Sequence, residues 1–263
     1  MSNTQLLITG TNSGLGKFLW SQLGGQALTR STSAQEWEEI RTKKMDVIIH
    51  CAFNAQAEVT SSKLSSYLED NFLLTQKLIS LSPKKFIYIS SVDVYPFNQS
   101  AHTEEEDIPV HQLKGIYATT KLMAEAIVRQ NCQNYLILRP SFLLGPTCRK
   151  NSLVKMIEND QCTLSLSGDS VCNYVRQEDL LSFIKESLTH DFQGIYNATS
   201  TGNIQLNEIA GLLNKKINFG NFRYLTGNVR NEKIVSVCPI FKKTSKEVVL
   251  AFAEQLEKSL ALT

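Results

Sequence analysis

Tyr117 and Lys121 are the two residues of this sequence whose types and spacing could perform acid–base chemistry. Residues four apart lie on the same face of a helix, so the ammonium can stand beside the phenol. A neighbouring positive charge lowers the pKa of a tyrosine and makes it a usable proton donor or acceptor near neutral pH. An exposed helical pair of the same spacing is the alternative, and the upstream segments decide between the two.

A second set of residues with a chemical use follows the first apolar run. Residues 6–9 are short and apolar, which predicts a buried parallel strand. The next residues are Gly10-Thr11-Asn12-Ser13-Gly14-Leu15-Gly16, after which helical periodicity begins. Glycines let the backbone turn tightly against a pyrophosphate, and the helix N-terminus attracts its charge. The segment predicts dinucleotide binding, with a purely structural turn as the alternative.

The end of the second predicted strand, residues 26–30, bears on which dinucleotide is bound. An NAD site usually has Asp or Glu at this point to accept hydrogen bonds from the ribose 2′-hydroxyl. Here Arg30 and Ser31 occupy the strand end, and the first acid after them is Glu36. Arg30 could pair with a 2′-phosphate, assisted by the Ser31 hydroxyl. We therefore predict NADP rather than NAD; the alternative is that Arg30 caps a solvated loop.

The remaining elements alternate between strands and helices and would position these side chains. The strands are predicted at 46–52, 85–91 and 134–139, and the helices at 61–81 and 115–131. This alternation predicts an α/β fold with a Rossmann-type, doubly wound parallel sheet. Such sheets bind ligands at the carboxyl ends of their strands. Cys51, Ala52 and Ser91 lie at those ends, and the helix at 61–81 carries Asn71.

The pattern becomes looser after Gly145-Pro146. We predict an NAD(P)-binding Rossmann domain over residues 1–150. Residues 151–263 are predicted as a mixed segment, in which a small C-terminal substrate-binding lobe is interleaved with elements of the sheet.

Composition excludes several functional classes. The chain has 263 residues, 42% of them hydrophobic, and a formal net charge of +2, so nothing points to nucleic acid or to an anionic membrane. No apolar run reaches the roughly 18 residues of a spanning helix, and the N-terminus has no signal-peptide pattern. The six cysteines and four histidines are not clustered, so no metal is expected. These features predict a cytoplasmic protein with reduced thiols.

The motifs form an ordered set. They are Thr9-Gly10-x-x-x-Gly14-x-Gly16, His50-Cys51-Ala52, Asn71, Ser90-Ser91, Tyr117-x-x-x-Lys121 and Arg139-Pro140. As a set they resemble the short-chain dehydrogenase/reductase superfamily, in particular its extended branch of NAD(P)-dependent nucleotide-sugar epimerases, dehydratases and reductases. The resemblance covers residues 5–215.

The resemblance implies a role for each matching residue. Tyr117 would be the general acid/base, Lys121 would lower its pKa and bind the nicotinamide ribose, and Ser91 would hold the substrate oxygen. The predicted cofactor contacts are Gly10, Asn12, Ser13, Gly14, Leu15, Gly16, Arg30, Ser31, Cys51, Ala52, Asn71, Tyr117 and Lys121. The predicted substrate contacts are Ser91, Asp93 and Arg176.

Departures from the family pattern reduce the number of reactions that the chain is expected to catalyse. Dehydratases of the branch have an Asp-Glu pair after the catalytic hydroxyl, where this chain has Val92 and Asp93. Epimerase/reductases of GDP-sugars have a cysteine in place of Asp93. Dehydration and the epimerisation and reduction of GDP-sugars are therefore both disfavoured. Phe142 and Cys172 replace an Asn and an Arg that help to hold the nucleotide diphosphate, and Arg176 is one candidate to substitute for them.

The prediction is therefore an NADP-preferring reductase of a keto group, with a small-molecule substrate such as a nucleotide-linked deoxysugar. One alternative is an NAD(P)-dependent sugar epimerase, which would keep its cofactor bound. A second is a catalytically silent NADP-binding regulator, although such proteins typically lose the Tyr/Lys pair. A homodimer is expected, paired through the helices at 61–81 and 115–131.

Overall fold

The computed structural model describes residues 4–56 and 58–260. Residues 1–3, which belong to the N-terminal stretch without a signal-peptide pattern, lie outside the described residues. The chain divides into two compact units. The first contains the residues up to Pro96, Asp107–Arg139 and Ile184–Tyr196. The second contains Phe97–Glu106, Pro140–Phe183 and the described residues from Asn197 onward.

The strands are β1 (Leu6–Thr9), β2 (Gln26–Leu28), β3 (Val47–His50), β4 (Lys85–Ile89), β5 (Ala101–His102), β6 (Tyr135–Pro140), β7 (Phe142–Leu144), β8 (Gln161–Thr163), β9 (Val171–Cys172), β10 (Tyr174–Arg176), β11 (Gly194–Ala198), β12 (Ile204–Gln205), β13 (Lys216–Asn218) and β14 (Asn228–Val229). The helices are α1 (Gly14–Leu23), α2 (Ala34–Thr42), α3 (Leu64–Leu68), α4 (Leu74–Ile79), α5 (Gly115–Asn131), α6 (Ser152–Glu158), α7 (Gln177–Thr189), α8 (Leu206–Leu212), α9 (Glu232–Val237) and α10 (Ser245–Leu260).

Six of the described strands form one sheet in the order β11-β6-β4-β3-β1-β2. The pairings from β2 through β1, β3 and β4 to β6 are all parallel. Strand order reverses between β1 and β3, and ligands bind outside the carboxyl ends at such a switch point. There Thr9 lies opposite Leu28 on one side and His50 on the other. This is the doubly wound parallel sheet that the sequence predicts.

The strands of this sheet are nearly continuous apolar runs because helices cover both faces. Every residue of β3 and of β4 is buried. The core of the first unit joins Leu7, Ile48, Phe86 and Ile137 of the strands to helical residues such as Val128. This packing fixes the strand ends from which the site is built.

The predicted helix over 61–81 is not continuous. It consists of a 3-10 turn (Ser61–Lys63), α3, a π-helical segment (Glu69–Leu73) and α4. A π-helical turn holds one residue more than an α-helical turn, and such turns concentrate at functional sites. Asn71 lies in this segment and is fully buried.

The second unit is built on short strand pairs. β7 pairs with β10, β8 with β13 and β5 with β14 in parallel, whereas β9 and β12 are antiparallel. Its core contains Leu144, Met156, Tyr174, Ile209 and Val249. Strands of two or three residues are too short for a readable alternation, which explains the looser sequence pattern.

No helix within residues 4–56 and 58–260 combines the length and the apolar character that crossing a bilayer requires.

The tight packing of the first turn generates a stability prediction. A Cβ at Gly16 would lie 2.4 Å from the carbonyl oxygen of Gly10 and 2.7 Å from that of Thr9. Because backbone atoms must shift, we expect Gly16→Ala to lower the free energy of unfolding by about 2 kcal/mol in urea titrations.

The matched control is Gly211→Ala in α8, where a Cβ would meet nothing within 4 Å. Alanine is the better helix former, so this variant should gain about 0.5 kcal/mol. Equal stability of the two variants would contradict the packing described for Gly16.

Candidate active site

The glycine-rich turn between β1 and α1 packs closely on one side and is open on the other. Gly10 (φ +74°) and Gly14 (φ +58°) both have left-handed backbone, which favours glycine. A Cβ at Gly10 would lie 2.9 Å from the backbone nitrogen of Ala52. In contrast, nothing lies within 4 Å of the Cβ position at Gly14. A ligand can therefore approach the backbone there.

The start of α1 favours an anion. Ser13 precedes the helix in an extended conformation and makes no side-chain capping hydrogen bond, and no acidic residue lies in the first turn. The positive end of the helix dipole is therefore not balanced by a carboxylate in that turn. Asn12 and Ser13 are exposed beside it, whereas Leu15 and Gly16 are buried. This shape and polarity fit the pyrophosphate of a dinucleotide.

Thr9 ties the end of β1 to the end of β3. Its hydroxyl oxygen accepts the backbone N–H groups of Cys51 (3.1 Å) and Ala52 (2.9 Å). With that oxygen accepting twice, the Thr9 hydroxyl hydrogen is donated to Nδ1 of His50 at 2.8 Å. The two predicted cofactor contacts, Cys51 and Ala52, are thus held against the glycine turn.

His50 continues this chain of hydrogen bonds into the π-helical segment. Because its Nδ1 accepts, its Nε2 carries the hydrogen and donates to the hydroxyl of Thr75 at 3.0 Å. Thr75 donates in turn to the backbone carbonyl of Asn71 at 3.3 Å. Burial, helped by the charge of Lys121, lowers the pKa of His50 to about 3, so the imidazole is neutral.

Asn71 fixes the segment that follows β3. Its Oδ1 accepts the backbone N–H of Asn54 at 2.6 Å, and its Nδ2 donates to the carbonyl oxygen of Asn54 at 3.0 Å. The amide therefore acts as a two-point clamp on the backbone. The geometry assigns Asn71 a positioning contact with this loop.

The end of β2 carries an ion pair that the sequence did not predict. Arg30 donates to the carboxylate of Asp70 at 2.6 Å, and Asp70 also accepts from Nδ2 of Asn54 at 2.9 Å. Arg30 is 75% exposed, so its guanidinium can still meet a ligand. The neighbouring Ser31 hydroxyl lies 2.8 Å from that of Thr29.

The side chain of Glu36, the first acid after β2, caps the start of a helix. It accepts the backbone N–H of Ser33 at 2.7 Å, while the Ser33 hydroxyl accepts the N–H of Glu36 at 3.2 Å. This reciprocal pair is a capping box at the start of α2. The acid near the end of β2 is therefore Asp70, supplied by the π-helical segment.

Tyr117 and Lys121 both contact the ring of Phe53. The Lys121 ammonium lies 3.9 Å from the centroid of the Phe53 ring and 4.9 Å from that of Tyr88, and it donates to the carbonyl oxygen of Ile89 at 2.7 Å. The ring of Tyr117 meets Phe53 edge to face at 5.1 Å between centroids. Lys121 is buried, and Tyr117 is half-buried.

Burial controls the charge of Lys121. Removal from water lowers the pKa of its ammonium to about 7, although the carboxylate of nearby Glu125 favours the charged form. The same burial raises the pKa of the Cys51 thiol to about 12, so Cys51 is a neutral neighbour. A lysine poised to be charged near neutral pH is suited to modulating an adjacent phenol.

Ser91 lies two residues after the end of β4 and is buried. Its hydroxyl oxygen accepts the backbone N–H of Asp93 at 3.1 Å and so begins the 3-10 turn Val92–Val94. α5 packs against both β4 and this turn. The arrangement brings Ser91 to the same strand end as Ile89, whose carbonyl binds Lys121. Asp93 is half-buried in the turn.

A buried ion pair locks α5 to the strand ends. Arg139 donates through Nε and Nη2 to the two carboxylate oxygens of Glu125, at 3.0 and 2.6 Å. Its Nη1 donates to the hydroxyl of Tyr95 at 2.7 Å, and the Ser90 hydroxyl donates to Glu125 at 2.5 Å. Both charged side chains are almost completely buried. Glu125 lies one helical turn after Lys121 and therefore fixes its position.

Arg176 belongs to the second unit and has partners there. It pairs with Glu178 at 3.1 Å, donates to Gln255, and stacks its guanidinium 5.6 Å from the centroid of the Phe252 ring. Its role at the substrate stays a prediction. The roles assigned to the other predicted cofactor and substrate contacts also stay predictions.

Several residues of the site were not predicted from the sequence as parts of it: Thr9, Phe53, Asp70, Thr75 and Glu125. Thr9 stands in the glycine motif, although no role was assigned to it there. Glu125 follows Lys121 by four residues and so shares a helix face with it. Among residues 4–56 and 58–260, no group of three or more His, Cys, Asp or Glu could hold a metal ion.

The fold and this site define a nicotinamide-dependent enzyme of the reductase/epimerase kind. Residues 6–199 match the model of the NAD dependent epimerase/dehydratase family, and the chain belongs to that family. This confirms the resemblance stated from the motifs. No curated protein sequence matches the chain significantly.

Solved structures similar to this chain share its fold. MoeE5 in complex with UDP-glucuronic acid and NAD is 19% identical, with a TM-score of 0.77 over 97% of this chain and 99% of that one. dTDP-4-dehydrorhamnose reductase from Bacillus anthracis in complex with NADP is 19% identical, with a TM-score of 0.76 over 95% and 98%. UDP-glucuronic acid 4-epimerase from Bacillus cereus is 17% identical, with a TM-score of 0.73 over 96% and 99%.

The neutral state of His50 generates a pH prediction. The folded protein keeps His50 unprotonated down to a pKa of about 3, whereas in the unfolded chain it binds a proton below about 6.5. Stability should therefore be lost as pH falls through that window, by about 1.4 kcal/mol per pH unit from this group. His50→Gln should flatten the dependence of the unfolding free energy on pH between about 6 and 4.

Urea titrations at several pH values measure this dependence. The matched control is His111→Gln, because His111 is exposed and lies outside the chain of hydrogen bonds. Equal slopes for the wild type and His50→Gln would show that His50 is not held neutral.

Proposed function

We propose that this chain is an NADP-preferring oxidoreductase that reduces a keto group on a nucleotide-linked deoxysugar. The observation that carries the proposal is the position of Lys121. Its ammonium is buried beside the end of β4, one helical turn from Tyr117, with a pKa lowered to about 7 by that burial. Burying a cation is costly, and a strongly perturbed pKa beside a group that can carry a proton marks a candidate catalytic site.

The chain's own residues would manage the proton and the substrate oxygen. Tyr117 would donate its phenolic proton to the carbonyl oxygen, and the Lys121 ammonium would stabilise the phenolate that remains. The Ser91 hydroxyl would hold the same oxygen. A bound nicotinamide cofactor supplies the hydride to the carbon. The glycine turn and the start of α1 would hold its pyrophosphate, with Asn12, Ser13, Gly14, Leu15 and Gly16 as the contacts.

The substrate class is supported by likeness. dTDP-4-dehydrorhamnose reductase, whose structure was solved with NADP, shares the fold over nearly the whole chain. MoeE5, solved with UDP-glucose and NAD, does so as well. We infer that the second unit provides the substrate lobe and that Asp93 and Arg176 contact the substrate. Because Arg176 is paired with Glu178, a phosphate would have to compete with that carboxylate.

A sugar epimerase is the second candidate, favoured by the likeness to UDP-glucuronic acid 4-epimerase. An epimerase oxidises and re-reduces the same carbon and keeps its cofactor. Purified protein carrying stoichiometric nicotinamide would favour it, whereas protein emptied by dialysis would favour the reductase. The presence of both Tyr117 and Lys121 argues against a catalytically silent regulator.

The catalytic assignment predicts the effect of Tyr117→Phe. With UDP-, dTDP-, CDP- and GDP-linked 4-keto-6-deoxysugars, the wild type should consume NADPH with at least one of them. Tyr117→Phe should lower kcat by at least about 100-fold, because the proton donor is lost, while the variant still binds NADPH.

Tyr135→Phe is the matched control, since it removes the same hydroxyl at the amino end of β6, away from the strand ends that carry the site. Turnover that survives in Tyr117→Phe would refute the mechanism. A wild type inactive with every one of these sugars would refute the substrate class.

Arg30 and Asp70 together bear on cofactor choice. We infer that Arg30, helped by Ser31, binds a 2′-phosphate, while the Asp70 carboxylate opposes that anion and competes for the guanidinium. The two ligands that isolate this contact are 2′,5′-ADP and 5′-AMP, which differ in the 2′-phosphate alone.

Arg30→Met should weaken 2′,5′-ADP binding about tenfold in calorimetric titrations, since charge-assisted hydrogen bonds are lost. Asp70→Asn should tighten it. Asp160→Asn, the same change at an exposed carboxylate paired with Lys215, should have no effect. If Arg30→Met binds 2′,5′-ADP as the wild type does, the preference for NADP is not set by Arg30.

We infer a homodimer paired through the two long helical stretches. Leu64, Leu73 and Met123 are large apolar side chains of these stretches, each more than 40% exposed. Pairing would remove them from water.

A further inference from the structure

Phe53 lies immediately after the His50-Cys51-Ala52 strand end and touches both members of the acid–base pair. Its ring centroid is 3.9 Å from the Lys121 ammonium, and it meets the ring of Tyr117 edge to face at 5.1 Å. On another side it meets the ring of Tyr67 at 6.4 Å. A single aromatic ring thus contacts the two groups on which the proposed chemistry depends.

The Lys121 ammonium already has partners within the protein. An ammonium has three N–H donors. One is donated to the carbonyl oxygen of Ile89 at 2.7 Å, and the ammonium also lies against the faces of the Phe53 and Tyr88 rings. Only 3% of Lys121 is exposed. A ligand hydroxyl can therefore reach the ammonium only if one of these partners gives way.

Phe53 is the partner that can move. The Ile89 carbonyl belongs to β4, and Tyr88 is completely buried in that strand. Phe53 is half-buried in the segment 51–56, which is neither helix nor strand. Its neighbour Asn54 is clamped by Asn71 through both backbone groups. The backbone is therefore held, and the ring can leave by rotation of its side chain.

We propose that Phe53 is a positioning residue that covers Lys121 and Tyr117 until the hydroxyls of the nicotinamide ribose replace its ring on the ammonium. This rests on the proposed function and on the ribose contact that the family resemblance implies for Lys121. Displacing the ring costs the cation–π contact, so Phe53 weakens binding of that ribose. The ring also keeps water from the acid–base pair when no cofactor is bound.

The adenosine half of the cofactor does not involve this contact. The probes are ADP and ADP-ribose that each carry the 2′-phosphate of NADP. They share the adenosine and the pyrophosphate, and they differ in the terminal ribose, which the proposal brings to Lys121. The ratio of their dissociation constants therefore isolates the contact with Phe53. Neither ligand requires a substrate or a hydride transfer, so the readout is independent of turnover.

The experiment measures both dissociation constants by isothermal titration calorimetry in the wild type, Phe53→Leu and Phe53→Tyr. Leucine retains apolar bulk but has no π face, and we expect it to tighten ADP-ribose about tenfold and to leave ADP unchanged. Tyrosine retains the π face, and we expect wild-type values for both ligands. Should Phe53→Leu fail to fold, Phe53→Met makes the same test with a flexible apolar side chain.

Three results would overturn the proposal. In Phe53→Leu, an unchanged or weaker affinity for ADP-ribose would show that the ring does not compete with the ribose. An equal gain for ADP and ADP-ribose would show that the substitution opens the site as a whole. A wild type that binds neither ligand would refute the proposed function itself, and that result is distinct from binding of both ligands with no effect of Phe53.

Discussion

The buried ion pair between Glu125 and Arg139 is the constraint on which the geometry of the site depends. It joins α5 to the end of β6 and, through Ser90, to the end of β4. Breaking such a pair by removing one partner typically costs about 3–5 kcal/mol, because a charge is left buried alone. The pair therefore fixes the rotation of α5 against the sheet, and with it the positions of Tyr117 and Lys121.

A second set of polar contacts organises the ends of β1 and β3. The hydrogen bonds run from Thr9 through His50 and Thr75 to Asn71, and Asn71 then clamps the segment that carries Phe53. Every link joins buried or half-buried groups, where a satisfied network is rigid and a broken one is costly. The site is thus held by two sets of contacts. The ion pair positions α5, and the neutral chain of hydrogen bonds positions the segment after β3. Phe53 touches both parts, because it precedes the clamped Asn54 and its ring packs against Lys121 of α5.

The sequence predicts the elements that are long and regular. The apolar runs of β3 and β4 and the periodicity of α5 follow from burial on a doubly wound sheet, and the glycine turn follows from backbone geometry. The π-helical segment at Asn71 has no periodic signature that separates it from a helix. The contacts of Arg30 with Asp70 and of Phe53 with Lys121 join residues far apart in the chain, so local patterns cannot predict them. The short strands of the second unit depend on such distant partners as well.

In the proposed reaction, Tyr117 gives a proton to the oxygen and NADPH gives a hydride to the carbon of a carbonyl group on a nucleotide-linked sugar. Isotope transfer tests this reaction, with NADPH carrying deuterium at both C4 positions of the nicotinamide and mass spectrometry of the sugar product. The account predicts one deuterium on the former carbonyl carbon for every NADPH deuteride consumed. A reduced product without deuterium, or consumption of NADPH with no labelled sugar, would contradict it.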